Sequence, residues 1–437
     1  MIMCYNKFVD KSSDDTFLIW KYYSRVYKIY AEMKIFAKLK IERNGLLMEK
    51  VRLGIIGYGQ QGGFYGSLLK DGRVDGMVLG AVAEINEQVD EKIRGDFPEV
   101  KIYRDYKEMI DSGDVDAVIT TVPHYLHPEM ATYALNNNIH VLNEKPAGVY
   151  TKHVKELNEL AATKKDVTYA IMFNQRNNPL YQRIKEIIDN DEIGEIRRTN
   201  WIITNWWRPQ AYYDMSDWRA TWGGEGGGVL VNQAPHQLDL IQWIAGVPVS
   251  VYSKVAYGFR RDIPVEDEVT AVFEYENGAT GSFITATHDI LGTDRLEIHG
   301  DKGKIIVDDS TKVKVTRLKK SENQLNEEMD FEDVAKLFMG QMDTDELYTV
   351  ETFEADATAA WGEQHAGVLT NFAQHILNGE ELLAPGSDGI NGVRLANAIH
   401  LSDWLGKEVS LTDFDDDLYL EELNKRIEEE GKFEQRS

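Results

Sequence analysis

The chain has 437 residues, a hydrophobic fraction of 43% and a formal net charge of −25. This length predicts two or three domains, each with enough apolar side chains for a core. The negative charge disfavours nucleic acid and anionic membranes as partners, because clustered Lys and Arg bind phosphate groups. The only cysteine, Cys4, permits no intrachain disulfide, and no apolar run approaches the roughly 18 residues of a membrane span. We therefore expect a cytoplasmic protein.

The N-terminal segment, residues 1–47, mixes aromatic residues and lysines and lacks a secretory pattern. Met48 directly precedes Glu49-Lys50-Val51, where we expect the folded part to begin. Two interpretations stay open. The segment is either an extension that lies upstream of a real start at Met48, which we favour, or a helix that covers an apolar patch.

Residues 48–170 alternate between apolar strands and helical stretches. The predicted strands are 51–56, 77–83, 102–103, 115–120 and 139–142, and the predicted helices are 64–70, 86–95, 106–112, 128–136 and 151–164. Strands that alternate with helices predict a parallel, doubly wound α/β sheet of the Rossmann type.

Residues 171–412 show a different pattern and predict an α+β domain with a large, mostly antiparallel open sheet. Predicted strands lie at 195–205, 249–257, 268–275, 280–287, 295–299, 304–307 and 312–317, and predicted helices at 181–190, 236–245, 363–378 and 390–405. Asn277-Gly278 is a hairpin signal. We expect the acidic stretch at about 319–348 to be an excursion or flexible loop, and the acidic tail, 413–437, to be a surface helix.

A glycine-rich turn follows the first strand and predicts a dinucleotide site. Its residues are Gly57, Tyr58, Gly59, Gln60, Gln61 and Gly62, and Glu84 ends the second strand 22 residues later. The glycines let the backbone approach a pyrophosphate at a helix N-terminus, and an acid at this spacing binds the ribose hydroxyls. In the alternative, a flavodoxin-like sheet, the glycines only turn the chain. Because no Lys or Arg follows Glu84 directly, we favour NAD over NADP.

The segment after the fourth strand is predicted to contact the middle of the cofactor through Thr121, Pro123 and His127. The alternative for His127 is a structural histidine bonded to the backbone. His124 and His127 are three residues apart, but we interpret them as cofactor-loop residues, and we predict no metal site.

Glu144-Lys145-Pro146 ends another strand of the same sheet, at the edge where α/β sheets bind ligands. Oxidation of a secondary alcohol requires a base for the hydroxyl proton, and His236 suits that role near neutral pH. Lys145 would stabilise negative charge on the same oxygen. Asn232 lies four residues before His236 and would share its face if the segment is helical. Asp239, three residues after His236, could orient the imidazole or form a local cap.

Through these motifs the chain resembles the glucose–fructose oxidoreductase / inositol dehydrogenase / MocA (Gfo/Idh/MocA) family from about Val51 to Val409. The matching segments are GYGQQG, TVPHYLHPE, EKP and GGGVLVNQAPHQLDL. The resemblance implies a Rossmann domain, a second domain whose open sheet often forms an oligomer interface, and NAD(P)-dependent oxidation of a sugar or polyol. It assigns Lys145 and His236 as the catalytic lysine and histidine, and it places Glu144 near the nicotinamide ribose. We expect a homo-oligomer, either a dimer or a tetramer.

One departure from the family concerns Asn232, where the family usually has aspartate. An amide can hold substrate hydroxyls but cannot accept a proton as a carboxylate does. We therefore predict that Asn232 positions the substrate and that Lys145 and His236 carry out the proton transfer. Asn174 and Arg176 match a recurrent segment at the domain junction. We predict that Asn174 contacts the cofactor and Arg176 the substrate.

Aromatic residues are concentrated in one loop, where five of the nine tryptophans lie between Trp201 and Trp222. Flat aromatic faces beside polar groups suit a sugar ring, and core packing is the equally weighted alternative. We select Trp206, Trp207 and Trp222 as pocket residues. The leading hypothesis is an NAD-dependent dehydrogenase that acts on a sugar, glycoside or inositol-like polyol. The alternatives are an NAD-dependent glycosidase with internal redox recycling and a non-catalytic nucleotide sensor.

Overall fold

The computed structural model describes residues 50–355 and 362–437. The predicted N-terminal extension, residues 1–47, therefore lies outside the described residues. None of the helices in the two described ranges is both long enough and apolar enough to span a membrane.

The first sheet has six parallel strands in the order β3-β2-β1-β4-β5-β6. They are β1 (Val51–Ile56), β2 (Met77–Ala83), β3 (Lys101–Tyr103), β4 (Ala117–Thr120), β5 (His140–Asn143) and β6 (Tyr169–Ile171). Strand β4 is buried along its whole length, as expected for a parallel sheet covered on both faces. The predicted Rossmann-type sheet is confirmed, although β6 was not predicted.

Helices flank this sheet. They are α1 (Gln60–Lys70), α2 (Asp90–Asp96), α3 (Tyr106–Asp111), α4 (Leu126–Asn136) and α5 (Thr151–Thr163). The helix predicted at 86–95 is in fact a short 3-10 turn, Glu87–Val89, followed by α2. Asn86 begins that turn because its side chain accepts a hydrogen bond from the Gln88 amide.

The second sheet has nine strands in the order β14-β13-β12-β11-β7-β10-β9-β8-β15. They are β7 (Ile196–Ile203), β8 (Ser250–Tyr257), β9 (Glu266–Glu274), β10 (Thr280–Ala286), β11 (Asp294–Gly300), β12 (Gly303–Asp308), β13 (Lys312–Leu318), β14 (Tyr348–Glu354) and β15 (Val409–Ser410). The β7–β10 pair is parallel and its neighbours are antiparallel. The predicted large, mostly antiparallel sheet is confirmed. Strands β14 and β15 were missed.

The remaining helices are α6 (Pro179–Asp189), α7 (Gln210–Tyr213), α8 (Pro235–Ala245), α9 (Glu322–Glu328), α10 (Phe331–Phe338), α11 (Thr344–Leu347), α12 (Glu363–Asn378), α13 (Gly389–Leu405) and α14 (Asp416–Glu430). Of the two alternatives for the stretch at about 319–348, the structure agrees with an excursion, because α9, α10 and α11 lie between the paired strands β13 and β14. The alternative of a flexible loop was wrong. Capping boxes at Ser321 and Asp330 satisfy the first amides of α9 and α10.

Two late helices reach back to earlier parts of the chain. Leu369 and Phe372 of α12 belong to the same hydrophobic cluster as Leu53 of β1. In the acidic tail, Tyr419 and Leu423 of α14 are fully buried in the cluster of the second sheet. One face of the predicted surface helix is therefore part of the core. The domain limits 48–170, 171–412 and 413–437 stay predictions.

Candidate active site

A cleft of about 930 Å³ lies at the carboxyl ends of the parallel strands. The residues that line it come from both parts of the chain: Gly59, Gln60, Gln61, Phe64, Thr121, Val122, Pro123, His124, His127, Glu144, Lys145, Met172, Asn174, Gln175, Trp218, Arg219, His236, Gly362, Gln364 and His365. The cleft therefore unites the glycine-rich turn, the predicted cofactor loop, Lys145 and His236.

The glycine-rich turn has the backbone that a pyrophosphate requires. A Cβ on Gly62 would lie 2.0 Å from the Gly57 carbonyl oxygen, so only glycine permits this close approach of helix to strand. A Cβ on Gly59 would meet no atom within 4 Å, because Gly59 borders the open cleft at the N-terminus of α1. An anion placed there would meet backbone amides and the positive end of a helix.

Glu84 is fixed beside this turn by two backbone amides. Tyr58 N–H donates to Oε2 at 2.5 Å and Asn86 N–H donates to Oε1 at 2.7 Å. The nearby guanidinium of Arg104 donates to the Glu84 carbonyl at 2.8 Å and pairs with the Asp90 carboxylate at 2.5 Å. An acidic side chain thus lies where the adenosine ribose would bind in a Rossmann domain.

The loop after β4 contributes Thr121, Pro123 and His127 to the cleft wall. Thr121 is tied to the glycine turn, because its hydroxyl donates to the carbonyls of Ile56 and Gly57. Both ring nitrogens of His127 face backbone carbonyls, at 2.8 Å from Pro146 O and 2.8 Å from Val122 O. The polar atoms of His127 therefore hold the loop together, and only its ring surface is available to a ligand.

Glu144 is a buried carboxylate at the floor of the cleft. The Tyr65 hydroxyl donates to Oε1, and the Lys145 amide donates to Oε2 at 3.0 Å. Burial raises the pKa of Glu144, although Lys145 and Tyr65 oppose the shift. Asn174, also in the cleft wall, has a buried Oδ1 atom with no hydrogen-bond partner among the described residues. Such an orphaned acceptor is a fitting contact for a bound cofactor.

Lys145 reaches across the cleft to the segment that precedes α8. Its Nζ donates to the main-chain carbonyl of Asn232 at 3.0 Å. Burial lowers the pKa of Lys145, and the charges of Glu144 and Glu225 oppose this effect. An ammonium group has three N–H donors, so two stay available for another oxygen in the cleft.

His236 lies in the first turn of α8 with its Nδ1 buried and without a hydrogen bond among the described residues. Burial lowers its pKa well below the usual value, and the charges of Lys145 and His365 lower it further. The imidazole is consequently neutral at pH 7. A second histidine, His365 at the start of α12, lies beside it in the cleft with its pKa lowered to about 4.

Three predictions around His236 need correction. Asn232 precedes α8 instead of sharing a helical face with His236. Asp239 does not orient the imidazole, because it accepts two hydrogen bonds from Arg176, at 2.6 and 2.9 Å. Arg176 is only 4% exposed, also donates to Asp388 and does not line the cleft. The Arg176 guanidinium is paired with two carboxylates, so the prediction that Arg176 binds substrate is not supported.

The aromatic pocket also differs from the prediction. Trp222 is 3% exposed, donates to the Pro264 carbonyl and packs against Trp404, so it belongs to the core. Trp206 and Trp207 do not line the cleft. Among the described residues, the tryptophan that lines the cleft is Trp218, whose ring lies under the Arg219 guanidinium at 4.9 Å.

The residues that the sequence analysis missed are His365, Trp218 and Glu225. Position 225 carried a signal, since it directly precedes the glycine cluster already singled out at 226–228. No local sequence pattern indicated His365, because α12 lies far along the chain from the other residues of the cleft. Within residues 50–355 and 362–437, no group of three or more His, Cys, Asp or Glu side chains could hold a metal ion.

The glycine turn after β1 and the parallel sheet are features of a Rossmann domain that binds a dinucleotide. The sequence profile for the oxidoreductase family with an NAD-binding Rossmann fold matches residues 51–173, and that of the GFO/IDH/MocA C-terminal domain matches residues 181–306. The chain belongs to the Gfo/Idh/MocA family, as the resemblance implied.

Relatives of this chain include dehydrogenases of small hydroxyl compounds. The chain is 24% identical to an uncharacterized oxidoreductase, YrbE, of Bacillus subtilis, over 84% of this chain and 98% of that protein. It is 27% identical to a myo-inositol 2-dehydrogenase of Thermotoga maritima, over 59% of this chain and 75% of the relative.

Solved structures confirm the fold. A levoglucosan dehydrogenase in complex with NADH superposes with a TM-score of 0.70 at 20% identity, covering 83% of this chain and 99% of the other. The WlbA dehydrogenase of Bordetella pertussis, in complex with NADH and UDP-GlcNAcA, has a TM-score of 0.66 at 22% identity and covers 83% and 98%.

Proposed function

We propose that this protein is an NAD-dependent dehydrogenase that oxidises a secondary hydroxyl of a sugar, glycoside or inositol-like polyol. The observation that carries the proposal is the placement of the Lys145 ammonium and the neutral His236 imidazole in one cleft with the glycine-rich turn. A dinucleotide site alone would need neither group.

In the proposed reaction, bound NAD supplies the hydride acceptor. The neutral imidazole of His236 takes the hydroxyl proton, since a histidine is a suitable base when it is unprotonated at the working pH. Lys145 donates a hydrogen bond to the same oxygen and stabilises its negative charge. The hydrogen bond from Nζ to the Asn232 carbonyl fixes the direction of the remaining two donors. The side chain of Asn232 pairs with Glu225 and Gln233 and does not line the cleft, so the predicted contact of Asn232 with substrate is not part of this proposal.

The preference for NAD over NADP rests on Glu84, whose carboxylate would repel a 2′-phosphate and accept hydrogen bonds from the ribose hydroxyls. Arg104 is close by, but its guanidinium is paired with Asp90. We expect Glu84→Ser to weaken NAD binding and to reduce the discrimination against NADP at least about tenfold. Glu87→Ala, at an exposed acid in the same loop, is the matched control. An unchanged preference would contradict this assignment.

The proposed substrate class rests on the far wall of the cleft. Trp218 offers a flat apolar face and Arg219 a cationic donor, a combination that suits a ring with C–H faces and hydroxyl groups. The names of two relatives, a myo-inositol 2-dehydrogenase and a levoglucosan dehydrogenase, favour the same class.

We also propose a homo-oligomer that forms through the open face of the second sheet. Tyr252 of β8 and Val272 of β9 lie directly opposite each other and are 52% and 50% exposed. Light scattering coupled to size-exclusion chromatography tests this proposal. A dimer or tetramer that Tyr252→Glu dissociates supports it, and a monomeric wild type contradicts it.

The test of the function is NADH absorbance with NAD and a panel of hexoses, inositols and glycosides. NADH formed stoichiometrically with one class supports the dehydrogenase and identifies its substrate. Cleavage of a glycoside without net NADH favours the glycosidase with internal redox recycling. Nucleotide binding without either reaction favours the sensor.

A further inference from the structure

Glu225 is a buried acid beside the cleft to which the proposed reaction assigns no function. The residue is 1% exposed and lies at the end of a turn, residues 222–225, directly before the glycine cluster at 226–228. Its Oε2 accepts the Ala220 amide at 2.6 Å, and its Oε1 accepts the side-chain amide of Asn232. The Arg219 guanidinium lies 3.8 Å from Oε1. Because hydrogen-bond donors face both oxygens, the site suits an ionised carboxylate.

Asn232 is oriented by a second contact. Its Oδ1 accepts the side-chain amide of Gln233 at 2.9 Å, so its Nδ2 is the atom that faces Glu225. An aspartate at position 232 would place two carboxylates at hydrogen-bond distance, where both cannot be ionised. The acid at 225 and the amide at 232 are therefore complementary.

The same asparagine also holds Lys145. Its main-chain carbonyl accepts Nζ of Lys145 at 3.0 Å, while its side chain donates to Glu225. Asn232 thus links a buried negative charge to the ammonium group in the cleft. A negative charge that is buried and close to an ammonium group interacts with it more strongly than one in water.

We propose that Glu225 and Asn232 form a positioning pair, in which Glu225 supplies the negative charge that keeps Lys145 in its place and in its charged form. Glu225 does not line the cleft, so it acts through Asn232 and through its charge and not by contact with substrate. The role in catalysis rests on the proposed function, whereas the electrostatic role of Glu225 toward Lys145 does not.

The charged and titratable groups that face Lys145 come from several elements: Glu144, Glu225, His124, His127, His236 and His365. Only the two acids among them favour the ammonium form. Burial raises the pKa of Glu225, and the hydrogen bonds from Ala220 and Asn232 together with the charges of Arg219 and Lys145 counteract that effect. Loss of the Glu225 charge therefore lowers the pKa of Lys145.

The first test measures the pKa of Lys145 without any substrate. Acetic anhydride acetylates only the neutral amine, so the extent of acetylation against pH, measured by mass spectrometry of the Lys145 peptide, gives the midpoint. We expect Glu225→Gln to move this midpoint to lower pH by about half a pH unit or more. Glu268→Gln, at a partly exposed acid on β9, should leave it unchanged. An unchanged midpoint in Glu225→Gln would overturn the proposal.

The second test exchanges the two groups in the double variant Glu225→Gln/Asn232→Asp. The side-chain amide introduced at position 225 can still accept the Ala220 N–H and can donate to the carboxylate introduced at position 232. The charge therefore moves, but the hydrogen bonds remain. We expect the double variant to recover the wild-type Lys145 midpoint, and Asn232→Asp alone to lower the melting temperature.

The double variant also covers the case in which Glu225→Gln does not fold. A folded double variant with the wild-type Lys145 midpoint then supports the proposal. An unfolded double variant, or one with the midpoint shifted to lower pH, overturns it.

Enzyme activity provides a separate readout. Once a substrate is identified, Glu225→Gln should lower kcat at least about tenfold and move the alkaline limb of the pH dependence of kcat/KM to lower pH. If no substrate is oxidised, the proposed function fails, and the acetylation result still decides the electrostatic role of Glu225.

Discussion

The ammonium group of Lys145 donates a 3.0 Å hydrogen bond to the main-chain carbonyl of Asn232, 87 residues further along the chain. Lys145 follows β5 of the first sheet, and Asn232 precedes α8. The two parts of the chain are therefore joined by a contact inside the cleft, and the geometry of the candidate site depends on both.

Two substitutions in the glycine turn distinguish the effect of a glycine on protein stability from its effect on NADH binding. A Cβ on Gly62 clashes with the Gly57 carbonyl, so Gly62→Ala should destabilise the protein by about 1–3 kcal/mol and weaken NADH binding. Gly59→Ala is the matched variant, because its Cβ points into open space. It should leave stability nearly unchanged and still weaken NADH binding. NADH fluorescence titration and thermal melting measure both quantities, and normal NADH affinity in Gly59→Ala would contradict the placement of the pyrophosphate.

Acid should destabilise the protein partly through His365. The unfolded chain binds a proton on this histidine below about pH 6.5, whereas burial and Lys145 lower the pKa in the folded protein to about 4. The unfolded state therefore binds more protons between these values, and the free energy of unfolding falls as the pH drops from about 6.5 to about 4. Urea unfolding at several pH values should show a smaller loss for His365→Gln than for wild type.

The control for this experiment is Asn378→Gln, which changes no titratable group at an exposed position on the same helix. Its loss of unfolding free energy between about pH 6.5 and pH 4 should match that of the wild type. Parallel curves for wild type and His365→Gln would show that the imidazole is not held neutral by the cleft.

The C-terminal helix should influence substrate binding although it lies behind the cleft wall. Glu430 of α14 accepts the Trp222 amide at 2.6 Å, and Phe433 packs directly on Gly223. These contacts support the loop that carries Trp218 and Arg219. Glu430→Ala leaves a backbone amide without its acceptor, which costs about 1–3 kcal/mol.

We expect Glu430→Ala to raise KM for the hydroxyl substrate several-fold while the Kd for NADH stays constant. Glu429→Ala, at the adjacent exposed acid, should change neither value. Equal KM values in both variants would contradict the claim that α14 supports the substrate-binding loop.

The cofactor half of the site was more readable from the sequence than the substrate half. The glycine turn and Glu84 are local features of a strand–turn–helix unit, so their spacing alone indicates where they lie. The parallel sheet follows from strands buried on both faces, which leave uninterrupted apolar runs such as that of β4.

The substrate half depends on contacts between distant segments, which no local pattern encodes. Trp222 and Trp218 lie in the same aromatic loop, but of these two only Trp218 lines the cleft. Trp222 is part of the core, where its ring packs against Trp404. Arg176 is similarly removed from the cleft by its pairing with Asp239 and Asp388. The stretch at 319–348 looked like a loop because its helices expose most of their residues and bury no apolar face.

The most direct test of the account is single-turnover NADH formation by wild type and Lys145→Met with the substrate that the panel identifies. We expect the rate of hydride transfer to fall by about 10²–10⁴-fold while NADH binding is retained, because the variant lacks the ammonium group that stabilises negative charge on the reacting oxygen. Lys312→Met, at an exposed lysine on β13, should match the wild type. An unchanged hydride-transfer rate in Lys145→Met would contradict the central claim that Lys145 acts in the reaction.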